Sequence, residues 1–135
     1  MRVSAILLIA IILKTYFSLD YLFLWSFVVG ASKYFLQIED DVVANVGFLD
    51  HIDHKMKSRA GKNWLALEFS SLGFIGKLFR EKTLRDLILF TTLLFKDKPI
   101  DLIYLSFQNS KICLPDWDNK KCGTEIVCSL DRVIL

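Results

Sequence analysis

Long apolar runs broken by short polar interruptions dominate the first third of the chain. Val3 to Leu13 is almost entirely apolar and Tyr21 to Ala31 nearly so, with Lys14 and Asp20 between them. Neither run reaches the roughly 18 residues a membrane-spanning helix needs. Joining them would leave Lys14 and Asp20 near mid-bilayer, at about 2.5 to 3.5 kcal/mol each. Arg2 ahead of the first run has the layout of a secretory signal or signal anchor. Residues 1–17 are therefore a candidate targeting segment through which the chain would touch a membrane. The plain alternative is an incidental apolar start, because no small-x-small cleavage site follows Leu13. Residues 19–32, apolar on every side, are expected to be a buried helix.

Further along, the period of the pattern changes. Tyr34 to Ile38 reads as a short strand, and Gly47 to Arg59 as a helix with Phe48, Leu49, Ile52 and Met56 at helical spacing. Asn63 to Phe69 is expected to be a second strand. Leu84 to Lys96 predicts a strongly apolar helix whose run to Phe95 is too short to span a bilayer, which favours a core or interfacial helix. Asp97 and Pro99 are read as cap and first-turn proline of another helix ending near Gln108. Helices alternating with strands predict a layered α/β domain over residues 18–128, followed by a tail at 129–135.

Composition narrows the partners. In 135 residues, 53% hydrophobic and 13% aromatic content supplies one well-packed domain and excludes disorder. Seventeen basic against 15 acidic residues, a formal charge of +2, gives no basic face for nucleic acid. Repeats and low-complexity tracts are absent, and six glycines with two prolines leave little flexible linker.

The candidate chemistry starts at Glu39-Asp40-Asp41, three carboxylates directly after the apolar strand. Such a cluster at a buried strand end is costly unless a positive charge sits there, and a hard divalent cation is the natural one. A cation that also holds a diphosphate would offset the charge that develops when a nucleotide-activated donor is cleaved. Alternating side-chain directions make Asp41 the direct metal ligand, with Glu39 and Asp40 in supporting, donor-side positions. The opposing reading is an acidic turn in solvent. Glu68, near the end of the second strand, is a candidate general base for an acceptor hydroxyl, or else a hydrogen-bonding partner of the following loop. In that loop Gly73 and Gly76 permit close approach of a ligand, and Lys77 could reach a phosphate; a tight turn with a solvated lysine is the alternative. His51 and His54 share a helix with Asp50 and Asp53, but no further ligands follow at metal-binding spacing, so they are read as solvated surface.

Beyond these local signals, Phe35 to Ala44, Trp64 to Ser70 and Leu72 to Lys77 resemble the N-acetylglucosaminyltransferase IV family, the alpha-1,3-mannosyl-glycoprotein 4-beta-N-acetylglucosaminyltransferases. Leu19-Asp20-Tyr21 with Phe23-Leu24, and Lys96 to Asp101, fit in order upstream and downstream. Cys113 and Cys122 fall where the family places two cysteines. The resemblance covers roughly residues 18 to 122, only the middle of the family's catalytic domain. It implies a partial GT-A, Rossmann-like domain lacking family elements at both ends. It also implies metal-dependent inverting transfer of N-acetylglucosamine from UDP-GlcNAc to a mannose of N-glycans, with Mn2+ as the expected metal. The implied location is the lumenal side of the Golgi membrane. The alternative is a catalytically inactive truncated paralogue that acts as an interaction or regulatory protein on other Golgi glycosyltransferases. A bond between Cys113 and Cys122 would suit an oxidising lumen and leaves Cys128 free, paired to another chain, or competing for either partner; three ordinary thiols are the reduced alternative.

Overall fold

A computed structural model describes residues 17–40, 42–70 and 73–132 of the chain, with side chains through residue 125. Helix α1 covers residues 17–28 of the described part. It is followed by β1 (Tyr34–Gln37), α2 (Phe48–Ser58), β2 (Ala66–Glu68), β3 (Lys77–Arg80), α3 (Glu81–Leu94), α4 (Ile100–Ile112), α5 (Asn119–Ser129) and β4 (Leu130–Arg132). The strands form one mixed sheet in the order β1-β3-β2-β4. Strand β3 is antiparallel to both neighbours, and β4 runs parallel to β2.

The pleat sorts the core into two layers, because directly paired residues share a face and successive residues alternate. Leu36, Leu78 and Leu67 form one row across β1, β3 and β2. With Trp64, Phe69 and Ile52, Leu67 and Leu78 make the smaller cluster, closed by Phe48 and Met56 of α2. The opposite face carries Phe79 and Ala66 in one row, and Gln37, Lys77 and Glu68 in the next. There Trp25 of α1, Leu84 and Leu87 of α3 and Tyr104 and Phe107 of α4 build the main core around Phe79 and Phe74. Phe74 meets Tyr104 edge-on at 5.0 Å between ring centroids and Tyr21 at 5.5 Å, which anchors the β2–β3 connection from below.

Several expectations change in this arrangement. Residues 77–80, assigned no strand from their pattern, form the central strand β3. The expected burial of the first helix holds for one face only. Trp25 and Ser18 are fully buried, whereas Phe23 and Phe27 are 78% and 80% exposed. A helix packed on one side of a sheet cannot bury an apolar residue at every position. Leu89 and Leu93 of α3 are likewise exposed, so this is a core helix on its Leu84/Leu87 side. Pro99, not Asp97, occupies the N-cap of α4, with no side-chain capping hydrogen bond. Residues 130–132, placed in a tail by the sequence pattern, pair with β2. Cys113, at the end of α4, is disulfide-bonded to Cys122 in α5 with a Cα–Cα distance of 5.1 Å. Cys128 lies outside the described side chains, and the candidate targeting segment is outside the described residues up to residue 16. Among the described residues, no helix is long and apolar enough to cross a membrane.

Candidate functional site

The strand directions define one functional edge. Gln37 pairs with Lys77, and Lys77 pairs with Glu68. The C-terminal ends of β1 and β2 therefore lie at the same edge as the start of β3, and the parallel β4 ends there too. Carboxyl ends of strands in α/β layers leave backbone and loop groups facing a crevice, which is where ligands gather. Three clefts open along this edge.

Glu39 and Asp40 lie at the junction of the two larger clefts. The first, about 540 Å³, is bounded by Asp20, Tyr21, Pro99 and Asp101. The second, about 520 Å³, runs between Val42–Asn45 on one side and Phe69, Ser70 and Gly76 on the other. The Tyr21 hydroxyl donates to Glu39 Oε1 at 3.3 Å. Burial, then the charge of Glu39, its hydrogen bond and the charge of Asp101 push the Tyr21 hydroxyl up from 10.0 to about 12. Each of these disfavours a tyrosinate, so the phenol stays a donor to Glu39. Asp41, the expected metal ligand, lies outside the described residues. Among the described residues, no group of three or more His, Cys, Asp or Glu side chains converges on a metal position. Glu39 and Asp40 nevertheless present hard oxygen ligands to open clefts. That chemistry fits a hard cation that takes part of its shell from phosphate or water, and does not amount to an all-protein cage.

Glu68 and Lys77 sit beneath the third cleft, of about 180 Å³, which Gly73, Asp101 and Gln108 also line. They are 5% and 3% exposed. Glu68 Oε1 accepts from the Tyr104 hydroxyl at 3.1 Å and from Gln108 Nε2 at 3.2 Å, while Oε2 faces Lys77 Nζ at 3.4 Å. Lys77 Nζ also donates to the Ser70 carbonyl at 2.8 Å. Lys77 is therefore a buried strand residue rather than a member of the glycine loop. In the same cross-strand row, Gln37 Oε1 accepts from the Trp25 indole at 3.1 Å and its Nε2 donates to the Ile38 carbonyl at 3.0 Å. A buried row of polar side chains is tolerated when its members are satisfied in this way.

Of the five residues singled out from the sequence, Glu39 and Asp40 share two clefts, and Glu68 and Lys77 form a pair below the third. His51 and His54 are exposed on α2. Tyr21, Asp101, Tyr104 and Gln108 carry no chemical signal in the sequence, although all four line these clefts. Tyr21 and Asp101 do belong to quoted sequence blocks. Tyr104 and Gln108 give no local signal, since they fall four apart on an otherwise ordinary helix.

Comparison with known proteins adds lineage to this geometry. Residues 10–129 match the family model described as "MGAT4 conserved region". The alpha-1,3-mannosyl-glycoprotein 4-beta-N-acetylglucosaminyltransferase B of Homo sapiens is 36% identical over 112 residues, covering 83% of this chain and 20% of that protein. The Mus musculus protein gives the same figures. The corresponding transferase A of Gallus gallus is 35% identical over 112 residues, covering 83% of this chain and 21% of its own length. The chain thus spans about a fifth of the length of these curated relatives. No solved structure matches it.

Proposed function

The chain belongs to the family of the MGAT4 conserved region, and from that premise we propose that it carries the donor-handling part of a metal-dependent, inverting N-acetylglucosaminyltransferase. The donor is UDP-GlcNAc and the acceptor a mannose of an N-glycan. The corresponding setting is a GT-A, Rossmann-like domain on the lumenal side of the Golgi membrane. The observation that carries this reading is the position of Glu39 and Asp40, shared by two clefts at the carboxyl ends of the strands.

In this reading Asp41 is the metal ligand, with Glu39 and Asp40 supporting the ion and the donor. A bound divalent cation, Mn2+ as the expected one, supplies charge neutralisation for the departing diphosphate. The chain's own contribution is orientation. The Tyr21 hydroxyl fixes one oxygen of Glu39, leaving the rest of the carboxylate to face the clefts. The Val42–Asn45 side and the Phe69–Gly76 side of the second cleft would flank a bound nucleotide.

A second reading is donor binding without turnover, as in an interaction or regulatory relative of Golgi transferases; it is supported by Glu68, whose two oxygens are engaged by Tyr104, Gln108 and Lys77 rather than presented to an acceptor. Incubation of the chain with UDP-GlcNAc, a mannose-terminated N-glycan acceptor and Mn2+ separates the two. Manganese-dependent release of UDP that disappears in Asp41→Ala is expected from transfer chemistry. Calorimetric binding of UDP with Mn2+ but no release supports the second reading. Neither binding nor release would sink both.

A further inference from the structure

We infer that Glu68 and Lys77 are positioning residues, a buried strut that sets the wall of the nucleotide-facing cleft by holding the Phe69–Gly76 connection. The inference deepens the donor-handling reading and rests on it for its functional consequence, but the mechanical part stands on geometry alone.

Both oxygens of Glu68 are already engaged within a nearly solvent-free site, by Tyr104 and Gln108 on one side and Lys77 on the other. A base that abstracts a hydroxyl proton needs an oxygen presented to substrate. Here the carboxylate instead turns its charge toward Lys77. Burying an ammonium requires a counter-charge and hydrogen-bond acceptors, and Glu68 with the Ser70 carbonyl provides both. The consequence is a charge-assisted hydrogen bond from the sheet to the β2–β3 connection.

That connection is closed at each end by backbone bonds. The Phe69 amide donates to the Gly76 carbonyl, and the Gly76 amide to the Gln37 carbonyl, both at 2.8 Å. Gly76 has a φ of 63° and sits so close to Ser70 that an added Cβ would lie 3.3 Å from its backbone nitrogen. Phe69, Ser70 and Gly76 all line the second cleft, opposite Val42–Asn45 and beside Asp40. Lys77 therefore reaches the cleft through the backbone of Ser70, while its head group stays in the interior. The strut couples the floor of the third cleft to the wall of the second.

The test uses the full chain and the Glu68→Gln/Lys77→Met pair, which removes both charges together and so leaves no buried ion uncompensated. Amide exchange at Phe69 and Gly76 is expected to rise about tenfold, with the Leu78 amide at the sheet centre unchanged, from loss of one charge-assisted tether. Calorimetric affinity for UDP with Mn2+ is expected to fall by about the same factor, since each tenfold loss corresponds to one lost contact of that strength. Tyr104→Phe removes a bond to Glu68 but leaves Lys77 on Ser70, and should keep wild-type exchange at both amides even where its melting temperature drops. Wild-type protection of Phe69 and Gly76 in the double variant would overturn the assignment. Should that pair not fold, the Lys77 ammonium protons of the wild-type chain decide: slow exchange supports the strut, and exchange at the solvent rate overturns it. Absence of UDP binding by the wild-type chain would strike the donor reading, and the exchange measurements would then decide the strut alone.

Discussion

Lys77 carries its charge into the interior opposite Glu68, and the two cannot be separated cheaply. Removing one partner of a buried ion pair leaves the other charged and desolvated, at about 3 to 5 kcal/mol. Lys77→Met alone is therefore expected to lower stability to urea by that amount, and Glu68→Gln/Lys77→Met by clearly less than the sum of the singles. A double-mutant cycle from urea titrations checks this, and additive losses would remove the coupling. Tyr21 gives a different readout. Its hydroxyl is raised to about 12 in the fold, above its ordinary 10.0. The native state then holds this proton more tightly than the unfolded chain does. The stabilisation is complete below about pH 10 and is lost as pH rises through about 12. In metal-free solution, the tyrosinate absorbance of wild type minus Tyr21→Phe should titrate near pH 12. A difference curve centred at the ordinary tyrosine value would refute the environment described for Glu39. The acidic residues were legible in the sequence because a charged cluster after an apolar strand stands out. Tyr21 was not, since its importance comes from meeting Glu39 across 18 residues of chain.

The elements depend on a few backbone positions. Gly47 caps α2 with a φ of 81°, and nothing lies within 4 Å of an added Cβ. Gly47→Ala should therefore cost only the left-handed conformation, about 1 to 2 kcal/mol. Gly76→Ala adds crowding against Ser70 to a φ of 63°, so its thermal destabilisation is expected to exceed that of Gly47→Ala. Equal losses would mean that Ser70 moves aside freely. The Cys113–Cys122 bond closes a loop with a sequence separation of 9. Chain-entropy arguments give about 2.5 kcal/mol for a loop of that size, and Cys113→Ser/Cys122→Ser should lose roughly this much in urea. Helix α2 was readable from its 3.6-residue spacing, α3 from its long apolar run, and α4 from the Asp97–Pro99 start signal. Strand β3 was not. Lys77-Leu78-Phe79-Arg80 has no alternation to announce a strand, and its charged first residue is acceptable only because Glu68 lies beside it.

On the scale of the whole molecule, the sheet divides a large aromatic core from a smaller one, and the outer side of α1 remains uncovered among the described residues. Phe23 and Phe27, one helical turn apart, form an apolar patch with Leu24. The 135-residue chain is expected to self-associate with rising concentration, and Phe23→Ser/Phe27→Ser to reduce that association in sedimentation velocity runs. Identical sedimentation of both would assign association elsewhere. The layered α/β class was set by the sequence itself, because periods of helix and strand alternate along the chain whatever their packing. So were the acidic cluster after β1 and the family likeness, which are properties of residue order. Tertiary structure alone decided that β3 lies between β1 and β2, which turns Gln37, Lys77 and Glu68 into one buried row. It alone decided that Glu68 faces Tyr104 and Gln108, 36 and 40 residues away. Local pattern records which residues prefer burial or a helix. It cannot record which distant partner will neutralise a buried charge, because that partner is chosen only when the layers close.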